Sequence, residues 1–306
     1  MRALVFAFLL VVGLGRPVFA WDNTGHIIVA QLAYQRLSAE QRQAVATILK
    51  AHPHWQEFLI AGRPENVPED QWAFWQASTW PDWVKQHHEQ FSKPSWHYID
   101  MPFIPPGSAE RAENHQPRGE NILAALPMCI DKARSATGQE KAIYLCWVIH
   151  LVGDIHQPLH CASLFNEQFP KGDHGGNDAL YRLGEKRIIK LHPFWDDLLG
   201  KGDTVAKVNH GVTEAQAALE RNRAEVSREE QAATTIESWA KESFAMAGAY
   251  AYENGKIIPA VADRRREPNE VPEVPQSYAE TAGLIARVCV AKAGERLTSV
   301  LGQILR

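Results

Sequence analysis

Apolar residues recur at helical spacing along most of this chain, and this pattern restricts the fold more than any other feature. Residues 25–50 show such a stripe, and Ser38 is a suitable N-cap between two helices. Only residues 181–191 alternate like a strand pair, around a turn signal at Gly184, which predicts a small β-hairpin. Further helices are predicted over residues 118–136, 140–155, 203–223, 238–250 and 276–304.

Three Pro-rich stretches interrupt the helical pattern, at residues 62–69, 102–106 and 267–275. They predict long loops and not linkers between domains, because neither flank of any stretch would form a core by itself. The composition is 45% hydrophobic and 22% charged, which is typical of globular proteins and excludes a disordered chain or a coiled coil. We therefore predict an all-α fold, with residues 21–306 forming a single compact helical domain that has long loops and at most a small β-hairpin.

The first twenty residues have the pattern of a cleaved signal peptide. Arg2 gives a short basic start, residues 3–14 are apolar, and Ala20 is a small residue before a possible cleavage site. The apolar run is too short to span a bilayer, and no later stretch is suited to span one. Cleavage between Ala20 and Trp21 predicts a secreted or periplasmic protein. Its net charge of −4 would become −6, which excludes nucleic-acid binding by an overall positive field.

The chain has four cysteines, an even number, which in an oxidising compartment permits two disulfides in three connectivities. Buried free thiols are the other interpretation. No pair has the C-x-x-C spacing of a zinc ribbon, so metal binding by cysteine is the weaker reading. The four are Cys129, Cys146, Cys161 and Cys289.

The segment LCWVIHLVGDIHQPLH, residues 145–160, contains the strongest chemical signal. His150 and Asp154 are four residues apart, so both side chains lie on one face of the predicted helix and can reach one ion. His160 follows Pro158, which ends the helix, and is therefore aimed independently. Downstream, His174 and Asp178 repeat the His-x-x-x-Asp spacing beside two glycines. Histidine and aspartate without cysteine are suited to zinc in a hydrolytic site.

Further candidate ligands precede this segment: Asp82 in STWPDWVK, His97 in WHYID, and His26 in WDNTGH, which begins at Trp21. With these residues the chain resembles the zinc-dependent single-strand-specific nucleases typified by fungal nucleases S-one and P-one. That family shares its fold with bacterial zinc-dependent phospholipase C. The resemblance runs from Trp21 to about Asp196, and the predicted signal cleavage would leave Trp21 first, as in the family.

The resemblance implies three zinc ions per chain. The first ion would be bound by side chains that lie before and within residues 145–160. The second would be bound by His160 with the downstream His-x-x-x-Asp pair, and the third by the amino-terminal residue and His26. Asp154 would bridge the first and third ions. The implied sets are Asp82, His97, His150 and Asp154; His160, His174 and Asp178; and His26 with the α-amino nitrogen and carbonyl oxygen of Trp21.

The resemblance also implies an activity, the hydrolysis of single-stranded DNA and RNA to 5′-nucleotides and the removal of 3′-phosphate from 3′-nucleotides. A zinc-bridging hydroxide would attack phosphorus, with Asp82 and Asp154 as the catalytic carboxylates. Lys85 would add a cation for the phosphate, although a surface lysine is nearly as good a reading. The protein would act as a monomer without a membrane partner.

The family's nucleobase pocket also has counterparts in this chain. Tyr98 would stack on an unpaired base and Asp100 would hydrogen-bond its edge, while Asn177 is assigned to substrate binding. His192 and Asp196 match family patterns as well and are interpreted as residues that orient the ligands, not as ligands.

Two alternatives stay open at this point. A zinc-dependent phospholipase C shares the amino-terminal Trp and most ligands, but Asp178 is Glu in that family and a base pocket has no use there. A structural zinc-binding protein without turnover is the second alternative.

Overall fold

The structure is a computed structural model and describes residues 21–223 and 235–306. The predicted signal peptide, residues 1–20, lies outside the described residues. The helices are α1 (Asn23–Arg36), α2 (Ala39–Leu49), α3 (Glu69–Ala77), α4 (Trp80–His87), α5 (Ile122–Ser135), α6 (Gly138–Asp154), α7 (Leu191–Asp196), α8 (Val205–Arg223), α9 (Ile236–Met246) and α10 (Tyr278–Ile304). The fold is mostly α-helical, as predicted.

The predicted cap between the first two helices is confirmed. Ser38 forms a capping box with Gln41, in which the Ser38 hydroxyl accepts from the Gln41 main-chain N–H and the Gln41 side chain accepts from that of Ser38. The preceding helix α1 packs against α3, α8 and α10, so its residues 24–34 are all buried. A helix that is covered on all sides holds its polar side chains inside the core, and α1 holds His26 there.

Helix α6 is the second central helix. It packs against α5, α4 and α10, and every residue from 145 to 154 is buried. Trp147 on this helix, with Trp75 and Trp80, belongs to the hydrophobic core as expected from the sequence. His150 and Asp154 therefore lie in an environment from which water is largely excluded.

The hairpin predicted around Gly184 is confirmed as β3 (Ala179–Leu183) and β4 (Arg187–Lys190), which pair antiparallel. The structure adds more strand than expected. β5 (Ala260–Val261) and β6 (Glu273–Val274) extend this sheet to four strands, and β1 (Pro102–Phe103) pairs in parallel with β2 (Ser163–Leu164). Two-residue strands have no periodicity of their own, and they form here because distant loops run side by side.

All four cysteines are buried free thiols, so of the two interpretations the structure has the thiols and not the disulfides. Burial raises the pKa of the Cys146 thiol, and this disfavours the reactive thiolate. Among the described residues, no helix combines the length and apolar character needed to span a membrane.

Candidate metal centre

Three buried His/Asp groups meet around the carboxyl end of α6. In the first group, Oδ2 of Asp154 lies 2.9 Å from Nδ1 of His97 and 3.0 Å from Nε2 of His150. Oδ1 of Asp82 lies 3.8 Å from the same His150 nitrogen and 3.9 Å from the His97 nitrogen. The structure thus brings together the four residues that the family resemblance implied for one ion.

Asp82 lies in the first turn of α4, directly after Pro81, which is well suited to the start of a helix. One turn later, Nζ of Lys85 lies 2.6 Å from Oδ1 of Asp82. The Lys85 side chain is only 7% exposed, so its interpretation as a surface lysine is wrong.

The second group joins α1 to α6. The His26 ring stacks on the His150 ring, with centroids 4.1 Å apart, and its Nε2 lies 3.5 Å from Oδ1 of Asp154. Trp21 is fully buried beside it and donates its indole N–H to the main-chain oxygen of Gly153. Asp154 therefore stands between the first and second groups. Metal binding by the main-chain atoms of Trp21 stays a prediction.

The third group differs from the predicted one, because it contains His160 with His192 and Asp196. The His160 and His192 rings stack with centroids 5.2 Å apart, and Nε2 of His192 lies 3.4 Å from Oδ2 of Asp196. All three residues are buried. His192 and Asp196 are placed as ligand candidates here, and not as the orienting residues that the sequence suggested.

His174 and Asp178, the predicted partners of His160, lie outside the centre. Their side chains are 61% and 46% exposed and pair with each other at 2.6 Å between Nδ1 and Oδ2. Positive φ angles at His174, Gly175 and Gly176 make the main chain turn there. The main chain of this turn contacts the centre while the His174 side chain points outward.

One sequence feature distinguishes the pair that the structure places beside His160. His192 and Asp196 have the same i, i+4 spacing as His174 and Asp178, and they lie on helix α7 beside the buried Trp195. The spacing is therefore shared, but only one of the two pairs is accompanied by buried apolar neighbours on a helix.

Main-chain carbonyl groups fix the tautomers of three histidines. Nδ1 of His150 lies 2.7 Å from the main-chain oxygen of Ser78. Nδ1 of His160 lies 2.8 Å from that of His97, and Nδ1 of His192 lies 2.6 Å from that of Gly175. Because a carbonyl oxygen only accepts, each Nδ1 carries the hydrogen, and in the neutral ring each Nε2 keeps a lone pair. This arrangement is typical of metal-binding histidines.

Several buried polar atoms in these groups have no hydrogen-bond partner. An unpaired buried polar group costs about 1–3 kcal/mol, so such a concentration needs a compensating interaction. Cations bound between nitrogen and carboxylate oxygen donors, with no cysteine, would provide it, and zinc accepts this donor set. The residues therefore fit a centre that holds metal. The unpaired atoms are Nδ1 and Nε2 of His26, Nε2 of His97, Nε2 of His160 and Oδ1 of Asp154.

The pKa shifts of three histidines and one aspartate in the centre agree with metal binding. Burial lowers the pKa of His97 to about 3 and also lowers the pKa values of His26 and His160, which favours the neutral rings that metals need. Burial opposes ionisation of Asp154, but His150 and the other facing histidines outweigh it and hold the Asp154 pKa well below its usual value. The carboxylate is thus ionised.

The predicted base pocket adjoins the third group. The main-chain N–H of Ile99 donates to His160 O at 2.8 Å, which places the half-buried Tyr98 and Asp100 next to it. Burial raises the pKa of Asp100, and His174 opposes this rise. Asn177 is partly exposed, and its amide donates to His174 O at 2.9 Å.

His54, Glu57 and His88 form a further cluster of potential ligands, which sequence reasoning did not identify. Nε1 of Trp80 donates to Nδ1 of His54 at 2.9 Å, so the neutral His54 ring carries its hydrogen on Nε2. This cluster therefore fits a metal less well than the groups around Asp154 do.

The chain also matches a known protein family. The family model described as S1/P1 Nuclease matches residues 21–306. The chain belongs to the S1/P1 nuclease family. The match begins at Trp21 and includes all three His/Asp groups of this S1/P1-family chain.

Curated relatives of this S1/P1-family chain carry nuclease names. Nuclease S1 of Aspergillus oryzae is 29% identical over 188 residues, which are 60% of this chain and 55% of that protein. Endonuclease 4 of Arabidopsis thaliana is 25% identical over 189 residues, 58% of this chain and 55% of that protein. Endonuclease 5 of the same plant is 23% identical over 209 residues, 65% of this chain and 62% of that protein. The chain thus spans little more than half the length of these relatives.

Proposed function

We propose that this chain is a zinc-dependent nuclease that hydrolyses single-stranded DNA and RNA to 5′-nucleotides and removes the 3′-phosphate from 3′-nucleotides. The observation that carries the proposal is the burial of three His/Asp groups around Asp154, in which several ring nitrogens and one carboxylate oxygen have no hydrogen-bond partner. Membership of the S1/P1 nuclease family and the names of the relatives support the same reaction class.

We assign one zinc ion to each of the three groups. The first ion belongs to the first group, the second ion to the third group, and the third ion to the second group. When bound, they would supply Lewis acidity toward the phosphoryl oxygens and an activated water. The first ion would be held by Asp82, His97, His150 and Asp154; the second by His160, His192 and Asp196; and the third by His26, Asp154 and the main-chain nitrogen and oxygen of Trp21.

The protein's own side chains would orient the substrate around this centre. Lys85 places a positive charge beside Asp82, where it attracts the phosphate. Tyr98 offers a ring face for base stacking, and Asp100 offers an acceptor for the base edge. Because stacking requires an unpaired base, this pocket favours single strands.

Signal cleavage after Ala20 would complete the centre, since an α-amine binds metal only when it is free and unprotonated. We assign the processed chain to the periplasm or the extracellular medium, acting as a monomer. Preparing residues 21–306 with and without one extra glycine before Trp21 tests the first point. The extended chain should bind less zinc and hydrolyse substrate more slowly.

The deciding experiment compares substrates for the processed, zinc-loaded chain. Single-stranded DNA, RNA, duplex DNA, a 3′-nucleotide and a short-chain phosphatidylcholine are incubated before and after chelation. We expect zinc-dependent release of 5′-nucleotides from the single strands and of phosphate from the 3′-nucleotide, with the lipid unchanged. An Asp154→Asn variant serves as the control for contaminating nuclease.

Other outcomes would point to the alternatives. Because Asp178 lies outside the centre, it no longer argues against a phospholipase C, so the lipid substrate decides this point. Cleavage of the lipid alone would mean a phospholipase, and bound zinc without turnover of any substrate would mean a structural role.

A further inference from the structure

Gln157 is a fully buried polar residue beside the metal centre, and it is not one of the candidate ligands. Its side chain has no exposed surface, and it lies in the turn between the end of α6 and His160. Burial of an amide costs free energy unless its polar atoms are hydrogen-bonded. The partners of this amide therefore indicate what the residue does.

The two ends of the Gln157 amide contact different parts of the chain. Oε1 accepts from the main-chain N–H of Leu159 at 2.6 Å, and Nε2 donates to Oδ1 of Asp196 at 2.8 Å. A main-chain N–H can only donate, so the amide oxygen faces Leu159 and the amide nitrogen faces Asp196. The direction of the hydrogen bond to Asp196 is therefore fixed.

The main chain of Gln157 is held by two further ligand candidates. Its N–H donates to Asp154 O at 2.9 Å, and its carbonyl oxygen accepts from the main-chain N–H of His160 at 3.0 Å. Asp196 lies 39 residues further along the chain, on α7. Gln157 thus joins the end of α6 to both His160 and Asp196, which are assigned to the second zinc ion.

The hydrogen bond from Gln157 leaves one oxygen of Asp196 for metal. Oδ1 is occupied by the amide, whereas Oδ2 lies 3.4 Å from Nε2 of His192, the nitrogen that keeps a lone pair in the neutral ring. A carboxylate that binds through one oxygen takes one coordination position. Three protein ligands would then leave the second ion a position for water or substrate, as in catalytic zinc sites.

We propose that Gln157 is a positioning residue for the second zinc ion. Its amide holds Asp196 so that Oδ2 alone faces the ion, and its main chain holds the turn that carries His160. The proposal rests on the proposed function and deepens it. It assigns a role to a residue that does not itself contact the ion or the substrate.

The first test is the crystal structure of residues 21–306 loaded with zinc, with anomalous diffraction at the zinc edge. We expect Asp196 to bind the second ion through Oδ2, with Oδ1 still within hydrogen-bond distance of the Gln157 amide. Binding through Oδ1 or through both oxygens would overturn the proposal. This measurement needs no variant, so it does not depend on how a substitution affects folding.

The second test compares the affinities of the zinc ions by competition with a chromogenic chelator. Gln157→Met has a side chain of similar length but neither donates nor accepts as the amide does. It should bind one zinc equivalent roughly 10- to 100-fold more weakly than the parent, because partners of this kind orient a ligand. Anomalous diffraction should show that the weakened ion is the one beside His160, His192 and Asp196.

A shorter variant and added zinc extend this test. Gln157→Asn keeps an amide but cannot span Leu159 and Asp196, so it should weaken the same ion. Excess zinc should restore much of the rate of 3′-nucleotide hydrolysis in both variants, since the expected defect is one of metal affinity.

Gln31→Met is the matched control. Gln31 is also buried, and its Oε1 accepts from Nε1 of Trp75 at 2.8 Å and from Nε2 of Gln71 at 3.1 Å. These bonds join α1 to α3 and not two ligands. Gln31→Met should lower the thermal unfolding midpoint of the metal-free chain, as Gln157→Met does, but should keep the parent affinity for the second ion.

The remaining outcomes separate this role from the nuclease function. Parent affinity for every ion in Gln157→Met, equal weakening of all ions, or the same weakening of the second ion in Gln31→Met would overturn the positioning role. An active parent with any of these results would leave the nuclease function intact. If the parent hydrolyses nothing but Gln157→Met selectively loses the second ion, the nuclease function fails and the positioning role stands.

Discussion

The main-chain oxygen of Gly175 accepts a hydrogen bond from Nδ1 of His192 at 2.6 Å. Through this contact the glycine turn orients a candidate ligand without supplying one, because the carbonyl fixes the hydrogen on Nδ1 and leaves Nε2 for metal. The turn and α7 therefore have the opposite roles to those expected from the sequence.

The first prediction concerns His192 and Asp196, the ligands proposed for a second zinc ion together with His160. His192→Ala and Asp196→Asn should each lose about one zinc equivalent and most of the hydrolytic activity, because three protein ligands are the usual minimum for such an ion. The measurement is zinc content by elemental analysis after dialysis.

Asp178→Asn is the matched control for this test, since Asp178 shares the i+4 spacing from a histidine but is exposed. It should keep its zinc. Zinc loss in Asp178→Asn together with retention in Asp196→Asn would restore the ligand set predicted from the sequence.

The second prediction uses two helical glycines. A Cβ atom at Gly153 in α6 would lie 2.7 Å from Nδ1 of His26, whose ring is stacked on His150 and cannot move freely. Gly153→Ala should therefore displace His26 and reduce zinc binding and activity. The measurements are zinc content and the rate of 3′-nucleotide hydrolysis.

Gly283→Ala in α10 is its control. There the nearest atom to an added Cβ would be Nη1 of Arg287 at 3.2 Å, the end of a flexible side chain. We expect full activity and a gain of about 0.5–1 kcal/mol in the free energy of unfolding, from the better helix propensity of alanine. Equal zinc content in both variants would contradict the assigned role of His26.

The third prediction concerns Lys85, which is bound to Asp82 in a nearly closed environment. Lys85→Met should lower kcat/KM roughly 10- to 100-fold, because it removes the positive charge that we propose attracts the phosphate. Lys85→Arg should recover part of the loss, since it keeps the charge with a different geometry. Steady-state kinetics on a 3′-nucleotide measures both, and an unchanged kcat/KM in Lys85→Met would restrict Lys85 to packing.

The fourth prediction concerns stability and pH. Burial raises the pKa of Asp173 to about 6, although it accepts several hydrogen bonds. Between pH about 4, the value for an unfolded chain, and pH about 6, the folded state holds the proton more tightly than the unfolded state. The free energy of unfolding therefore falls by about 2–3 kcal/mol as pH rises through this window, and stays lowered above it.

Asp173→Asn removes this titration and keeps an acceptor for the Leu164 N–H. As the pH rises from 4 to 7, the free energy of unfolding of the variant should increase relative to that of the parent. Urea unfolding with a chelator present in all samples measures it, so that metal release does not contribute. A difference that is constant with pH would show that Asp173 has an ordinary pKa in the folded state.

Local features were predictable because they depend on neighbours in the chain. The Ser38 capping box, the placement of His150 and Asp154 on one face of α6, and the hairpin at residues 179–190 all involve residues within about a dozen positions of each other. Helical and strand periodicity record such relationships directly.

Which helices and loops pack against each other could not be predicted in the same way. His174–Asp178 and His192–Asp196 have identical spacing, but only the second pair is brought to His160, by contacts of α7 and the glycine turn with residues far away in the chain. The burial of Lys85 and the added strands β5 and β6 are likewise long-range results.

The sequence by itself therefore determined the helical class, the helix faces and the inventory of nitrogen and oxygen donors. Only the tertiary structure decided which donors lie close enough to share an ion and which remain at the surface. The physical reason is that spacing within a helix is set by backbone geometry, whereas the meeting of two helices is set by packing of the whole core.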